Sequence, residues 1–580
     1  MKIKETLEDL RAFVKEEHEA NFAKLFEVWE KSLSKKLETG ETQIIQSVKA
    51  EDKRYLLVTL GKNESRFREG DMICLHHGNA VNEAFVRQAM IEAEQEGEWL
   101  VRAEYDENVI QSLGQPCYAD ADGMDLKPFF DKALDEVASS INGRNIVLPL
   151  LAGELETDFI HEDNYCDAAD IAEASGLNER QMDAVGKGVA AKYLACIQGP
   201  PGTGKTKVIS LIAKVLVEEG HQILLTSHTH MAINNALNKV AKEGVPTIKV
   251  GASSSVKGLD REIQRYDYGA DWGERPDSGY VIGATPFATC SARLENFEFD
   301  TVIFDEASQI TVPLAVMAMR KARRFVFVGD HKQLPPVVIS KSVLNEECYS
   351  VFSKLILGNE KVSVMLNQTY RMNAALSHWP SRQYYQRELV SAGDNADRLL
   401  SLERPPVKYQ PVFAKDNPFV FIKSPGVNTR TQSKKEAQLV VDLIETATEA
   451  GMALCDIGVV SPYRNHGKAI KTQLAKRLGV FTAKEVVTDT VERMQGQERE
   501  VVIISLCSTD KQFIQAVASF FFQPERLNVA ITRSKVKLIL IGPDLPDDFK
   551  VDVRHRTLQS HIDAYRSLVN VAHTVTLEDA

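Results

Sequence analysis

The sequence predicts an α/β protein with two halves of helix-covered parallel sheet, preceded by a helical segment and a small β-region. Three observations carry this. Apolar strand-like runs alternate with helical spacing from about residue 150 to about residue 548, a pattern that places helices on the faces of parallel sheets. A glycine-rich loop, Gly199-Pro200-Pro201-Gly202-Thr203-Gly204-Lys205-Thr206, lies between one such strand and one such helix. Segments that each present arginine or glutamine follow at intervals beyond Pro335-Pro336.

The loop comes first. Before it, Tyr193-Leu194-Ala195-Cys196-Ile197 reads as a buried strand; after it, Val208, Ile209, Leu211, Ile212, Val215 and Leu216 recur at helical spacing. Strand, glycine loop and helix form the context that a phosphate-binding P-loop requires. Gly202, Thr203 and Gly204 can turn backbone N–H groups toward phosphates, and the helix N-terminus adds partial positive charge. Lys205 reaches the β- and γ-phosphates, and the Thr206 hydroxyl suits Mg²⁺. The bland alternative is a glycine turn with no ligand. The chain is expected to bind a nucleoside triphosphate with Mg²⁺.

Next, Thr301-Val302-Ile303-Phe304 is an apolar strand ending in Asp305 and Glu306. Asp305 is expected to hold the Mg²⁺, and Glu306 to orient or deprotonate the attacking water. Phe325-Val326-Phe327-Val328-Gly329-Asp330 is another buried strand, leading to His331-Lys332-Gln333. Gln333 follows a strand's carboxyl end, where ligands bind in sheets of this type. Later come Leu366-Asn367-Gln368-Thr369-Tyr370-Arg371, Thr490-Val491-Glu492-Arg493-Met494-Gln495-Gly496-Gln497-Glu498 and Arg526-Leu527-Asn528-Val529-Ala530-Ile531-Thr532-Arg533. Each alone is weak, since most surface arginines and glutamines are solvated or form modest ion pairs. Their joint order is the signal.

That series resembles the up-frameshift-type helicases of superfamily 1B, firmly over about residues 175–545 and more loosely before them. The resemblance implies two RecA-like domains and an ATP-hydrolysing motor. By position it makes Gln181 the adenine reader and Gln333 the γ-phosphate sensor. Tyr370 packs near base or ribose, Arg371 and Arg533 are paired arginine fingers, and Glu498 contacts the ribose. Three departures stand out. Thr369 replaces a common Gln, Glu525 occupies a frequent Arg position beside Arg526, and His228-Thr229-His230 replaces Pro-Ser-Asn.

The last departure falls in the first expected nucleic-acid loop, where Thr229 can still donate to a phosphate oxygen. Thr285, in Val281-Ile282-Gly283-Ala284-Thr285, is the expected donor of a second contact loop. Tyr463 and Thr490 take the equivalent places in the second half, although turn chemistry alone would also place Ser461-Pro462 there. His228 and His230 read equally well as solvated loop residues; without a third ligand at suitable spacing they suggest no metal site.

Composition sets bounds. An apolar fraction of 44% and a charged fraction of 26% are those of ordinary soluble domains, and 580 residues allow three or four of them. No apolar run is long enough for a membrane span, and the acidic, amphipathic start does not read as a signal peptide. Eight cysteines without a C-x-x-C pair point to neither a zinc site nor a disulfide framework, and fit a reducing cytoplasm. A net charge of −12 argues against bulk electrostatic binding of nucleic acid. A local cleft of Lys, Arg, hydroxyls and amides remains compatible with it, since most such contacts go to phosphate and sugar. The acidic exterior would suit a protein partner.

At the start, Leu7, Leu10, Val14, Phe22, Leu25, Phe26, Trp29, Leu33 and Leu37 form a helical stripe. Strand-like runs follow at 44–48, 55–60, 72–75 and 99–103, and Phe129, Phe130, Leu134, Val137 and Ile141 then resume helical spacing. Beside the family these resemble a stalk and an accessory β-barrel; an unrelated interaction domain is the alternative. The expected division is 1–43 stalk helices, 44–120 β-barrel, 121–149 returning stalk helix, 150–350 first RecA-like domain, 351–548 second RecA-like domain and 549–580 polar tail. The tail reads as frayed at Leu577–Ala580 and too short for a fused nuclease. The function expected is an ATP-dependent helicase or translocase on single-stranded DNA or RNA, moving 5′→3′ by resemblance. A nucleic-acid-stimulated remodeller that does not unwind, and a regulatory ATPase subunit, stay open.

Overall fold

The computed structural model describes residues 2–52, 54–63, 65–95, 97–105, 117–160, 162–340, 349–550 and 556–576. Helix Lys2–Glu30 is followed by Leu33–Thr39, which ends on Gly40 at φ +68°, the left-handed cap that glycine adopts without a Cβ penalty. A closed six-stranded barrel comes next: β1 (Thr42–Ala50), β2 (Tyr55–Leu60), β3 (Met72–His76), β4 (Ala84–Gln95), β5 (Glu98–Arg102) and β6 (Cys117–Ala121), in the order β1-β2-β5-β4-β3-β6. Closure removes the exposed edges of so small a sheet. Inward residues including Ile45, Leu56, Val58, Ile73, Trp99 and Val101 fill it.

Helix Lys127–Ser139 returns along the first helix, Leu134 and Val137 packing with Leu10 and Val14. These residues belong to one continuous core with β-strands of the first sheet, so the stalk is built into that domain's outer layer. Ile141, expected on the buried stripe, is 72% exposed because the helix ends at Ser139.

The first sheet is parallel throughout: β7 (Leu194–Gln198), β8 (Gln222–Thr226), β9 (Thr247–Val250), β10 (Arg265–Tyr266), β11 (Tyr280–Gly283), β12 (Thr301–Phe304), β13 (Arg324–Gly329) and β14 (Ser363–Met365). Its order is β10-β9-β11-β8-β12-β13-β7-β14. Successive side chains face opposite layers: Ala195 and Ile197 pack with helices Glu179–Ala190, Lys205–Glu218 and His230–Lys242, while Leu194 and Cys196 pack toward the stalk side. A two-strand ladder, β15 (Gln368–Thr369) with β16 (Val390–Ser391), lies at the crossing between the halves. The second sheet has β17 (Phe419–Lys423), β18 (Ile457–Val460), β19 (Val487–Asp489), β20 (Arg499–Ser505), β21 (Ser534–Gly542) and β22 (His573–Val575), in the order β19-β18-β20-β21-β17-β22, again parallel.

Two expected boundaries need correction. Strand β14 pairs with β7, so the first sheet continues to Met365, beyond residue 350. The segment 549–580 is not simply a polar tail: helix Arg556–Val571 buries Ile562, Tyr565 and Leu568, and β22 adds to β17 with Val420 opposite His573. The expected frayed end, Leu577–Ala580, lies outside the described residues. β4 was absent from the strands expected, because AFVRQAMIEAEQ is rich in helix formers; pairing with β3 and β5 overrides that preference.

Candidate nucleotide and strand site

Sheet order separates two regions on the same carboxyl edge. Strands β12, β13 and β7 are neighbours and end in the acidic pair, the Gln333 segment and the glycine loop; β9, β11 and β8 end beside Lys257, Thr285 and Thr229. A nucleotide cleft and a strand-contact face therefore arise from one sheet.

In the cleft, Gly202 and Gly204 have φ +77° and +84°. A Cβ on Gly202 would lie 2.5 Å from Arg371 Cβ and 2.6 Å from Thr369 Oγ1, and one on Gly204 would lie 2.6 Å from Gln181 Nε2. Glycine is thus required both by backbone conformation and by close approach. Thr203 donates to Pro200 O at 2.7 Å, and Lys205 Nζ donates to Gly199 O at 2.8 Å. Thr206 follows in the first turn of helix Lys205–Glu218.

Gln181 lies beside this loop. Its Oε1 accepts the Asn178 N–H at 3.1 Å while its N–H donates to Asn178 Oδ1, a reciprocal capping box. Its Nε2 donates to Thr203 O at 3.0 Å. The amide expected to read adenine here clamps the helix start to the loop. Tyr370, 48% exposed, accepts from Asn178 Nδ2 at 2.8 Å, and its backbone N–H donates to Gly202 O at 2.8 Å. Thr369, where glutamine is common, donates to Pro201 O at 2.8 Å and so closes on the loop.

Asp305 is buried, and one carboxylate oxygen accepts the Glu306 N–H at 2.8 Å. Burial and then the Glu306 charge raise the Asp305 pKa, against the pull of nearby Lys205. Glu306 sits at φ +50°, ψ +40°, a left-handed conformation uncommon for a non-glycine residue and concentrated at functional sites. His228 lies near it; burial lowers this histidine's pKa, opposed by the Glu306 charge.

Arg371 Nε donates to Glu498 Oε2 at 2.7 Å and Nη1 to Thr532 O at 3.0 Å. Glu498 also meets Lys535 Nζ at 3.1 Å. Its expected ribose contact therefore competes with two cations. Arg533 is only 2% exposed and donates to the carbonyls of Val529 and Gln497 and to Thr532 Oγ1. It has no acidic partner within ion-pair distance among the described residues. Burial, then the Arg371 charge, pushes its pKa down to about 9, while Glu306 and Glu498 pull upward.

Four residues of the site escaped the sequence reading. Gln495, from the second half, points Nε2 at Glu306 Oε2 at 3.5 Å. Asp330 accepts from Gln333 Nε2 at 2.8 Å and from the buried Tyr385 hydroxyl at 2.6 Å. Asn528 donates to Tyr385 Oη at 2.7 Å and to Lys332 O at 2.8 Å. Gln333 is thereby tied through Asp330 and Tyr385 to the helix Pro524–Ile531 that precedes Arg533. Gln495 stood inside a segment singled out above. Tyr385 carried no local signal.

Tyr385→Phe removes both hydrogen bonds and leaves buried polar groups short of a partner, at a cost of about 1–3 kcal/mol. Stability should fall by that order. Strand-stimulated ATP turnover should fall more than nucleotide affinity, because the change lies between the halves. Denaturant melts alongside steady-state kinetics check this; equal losses in binding and turnover would speak for a purely structural tyrosine.

Of the expected strand contacts, Thr229 caps helix His230–Lys242, its Oγ1 accepting Ala232 N–H at 3.3 Å. Thr285 and Thr490 precede short helices without a side-chain cap bond, leaving their hydroxyls free of that duty. Tyr463 is half-buried among Phe513, Phe520 and Phe521, with ring centroids 6.0–6.2 Å away. It is more a packed wall than a projecting platform. Among the described residues, no cluster of three metal-ligating side chains occurs.

Two models, each described as an AAA domain, match in tandem: one over residues 176–271 and 277–341, the other over 348–544. The human DNA replication ATP-dependent helicase/nuclease DNA2 is 31% identical over 398 residues, covering 63% of this chain and 37% of that protein. The DNA polymerase alpha-associated DNA helicase A of Schizosaccharomyces pombe is 29% identical over 431 residues, covering 63% of each. A crystal structure of arterivirus nonstructural protein 10, a helicase, has 12% identity and a TM-score of 0.38, covering 87% of this chain and 80% of that one. The chain spans 37% of the length of the human DNA2 protein and 26% of that of Saccharomyces cerevisiae.

Proposed function

The chain belongs to the superfamily 1B helicases, and on that premise we propose that it is an ATP-dependent helicase or translocase acting on single-stranded nucleic acid. One observation carries the reading. Arg533 is buried, has no acidic partner within ion-pair distance among the described residues, and feels the charges of both Arg371 and Glu306. An unpaired buried cation is costly, and the γ-phosphate of ATP is the anion that would complete it.

In this reading Lys205 and the loop amides hold the phosphates, Glu306 with Gln495 orients the attacking water, and Gln333 senses the γ-phosphate. Thr206 and Asp305 offer an all-oxygen donor set that fits Mg²⁺. Bound there, the ion would neutralise phosphate charge. Loss of the γ-phosphate removes what Arg371 and Arg533 recognise, and the two halves relax. Thr229, Thr285, Tyr463 and Thr490 lie on the carboxyl edges of the two sheets, so closure and relaxation shift one set of strand contacts against the other.

DNA is the proposed track, on the strength of the relatives' names, and 5′→3′ the proposed direction, on that of the resemblance. The acidic exterior is the proposed face for a protein partner. The seven described cysteines are free thiols, in keeping with the reducing cytoplasm proposed. The test compares ATP turnover with matched DNA and RNA oligonucleotides, then displacement from duplexes bearing a 5′ or a 3′ overhang. Strong stimulation by DNA and unwinding from the 5′ overhang are expected. Stimulation without unwinding would make it a remodeller, and no stimulation by either strand would overturn the reading.

A further inference from the structure

The segment that begins at Gln333 is pinned at three places. Gln333 itself is held by Asp330, just beyond β13 of the first half. Leu334 is buried in the core of the second half, in one cluster with Tyr385 and Leu527. Pro335 and Pro336 follow, and the fixed φ of proline makes this stretch stiff. Its far end is tied to the first stalk helix. The Ile339 N–H donates to both oxygens of the Glu17 carboxylate, at 3.0 and 3.1 Å, and the Ser340 N–H donates to Glu17 Oε2 at 2.8 Å. Asn21, one turn on, donates Nδ2 to Glu17 Oε1 at 3.1 Å and to Glu17 O at 2.7 Å, which holds the carboxylate in place. Hydrogen bonds to a carboxylate are roughly twice as strong as neutral ones, so residues 334–340 form a strap fastened at both ends.

Glu17 stands between a fixed and a free length of its helix. Leu10 and Val14 are buried in the core of the first half beside Leu134 and Val137 of the returning helix, and Glu136 of that helix pairs with Arg320 of the same half. Beyond Glu17 the helix runs on to Trp29, whose Nε1 donates to Ala121 O at 2.8 Å, at the end of β6, and so carries the barrel. At 1.5 Å per residue Glu17 lies roughly 4.5 Å past Val14, and Trp29 roughly 22 Å past it. A displacement at Glu17 is therefore magnified about five-fold at the barrel. The packing leaves room for it. A cavity of about 600 Å³ lies between this helix, the barrel and the strap, lined among others by Phe13, Phe22, Leu25, Phe130 and Val337. Close-packed interiors hold few voids larger than a water molecule, and here the helix can shift without compressing a core.

We propose that the strap works the stalk as a lever. When the two halves close on ATP, Leu334 travels with the second half, the strap draws on Glu17, and the first helix swings the barrel about Val14. Glu17 is a positioning residue, acting on the barrel through its helix and on Gln333 through the strap. The inference rests on the ATP-driven closure proposed above and adds to it a route by which the nucleotide state reaches the N-terminal domain.

The test uses the full chain in the Glu306→Gln background with Cys348→Ser and Cys455→Ser. One spin label is placed on the exposed Cys166 of the first half and the other on Lys49→Cys, an exposed position of β1. ATP and Mg²⁺ should move the main interlabel distance by about 3–5 Å, the lever's magnification of a displacement of roughly 1 Å at Glu17. Glu17→Ala keeps the helix, since alanine is its best former. This variant should bind ATP as the parent does, yet its labels should shift by less than about 1 Å. Glu17→Gln, which retains one acceptor oxygen, should fall between. An equal shift in parent and Glu17→Ala overturns the role of the strap. A parent that binds ATP without any shift overturns the lever and leaves the proposed function standing, whereas a parent that binds no ATP sinks both.

Discussion

Arg533→Ala should lose about 10³–10⁵ in strand-stimulated ATP turnover, the range measured for arginine fingers, which is roughly 4–7 kcal/mol of barrier at 1.36 kcal/mol per decade. Arg533 is anchored by backbone carbonyls of Val529 and Gln497, without a carboxylate, so its charge is not already neutralised within the fold. The P-loop, Asp305 and Gln333 are untouched by the change, and ATP affinity should fall by much less than turnover. Lysine should rescue poorly, since it lacks the planar fork that bridges phosphate oxygens. The competing account is a structural arginine packed into helix Pro524–Ile531. It predicts a loss of stability that tracks the loss of turnover, so thermal melts accompany the kinetics. A stable Arg533→Ala protein with turnover within a few-fold of the parent would sink the arginine-finger role.

Glu306→Gln should keep ATP affinity and lose about 10²–10⁴ in hydrolysis, the usual worth of a positioned general base, or roughly 3–5 kcal/mol. The substitution is close to isosteric, and glutamine meets the same left-handed backbone that glutamate tolerates here. Gln495 can still donate to the side-chain oxygen, so geometry is largely kept while the proton acceptor is lost. Removing the negative charge also relieves Asp305, whose pKa is raised partly by Glu306. Nucleotide binding should accordingly hold or tighten. Isothermal titration with ATP and a single-turnover hydrolysis assay separate the two; near-normal hydrolysis would remove Glu306 from the chemistry.

What the sequence conveyed follows from how local each signal is. The glycine loop, its flanking strand and helix, and the acidic strand end are contiguous stretches whose residue types are dictated by backbone conformation and phosphate contact. Their place in the fold could be read directly. Tyr385 could not: it lies in an irregular region, and its importance comes from Asp330 and Asn528, which only the packed structure brings to it. Gln181 was legible as a member of the site, but its capping box with Asn178 had a sequence signature that went unused. Strand β4 was hidden by helix-forming residues. The segment beyond 548 was hidden by polarity, since Ile562, Tyr565 and Leu568 recur on one face of a helix whose other face is charged. Tyr463 reads from sequence as a strand-contact residue, yet three phenylalanines from helix Lys511–Phe521 hold its ring, which a local reading cannot foresee.

The central claim is that one nucleotide draws two halves of a site together. The exposed Cys166, beside the first sheet, and Cys455, beside the second, allow it to be measured directly once Cys348 is replaced by serine. With spin labels at these positions in the Glu306→Gln background, ATP and Mg²⁺ should narrow the distance distribution to one short population. The same addition should fail to do so when Arg533→Ala is introduced. A distribution that nucleotide leaves unchanged, or that closes equally without Arg533, would contradict the mechanism.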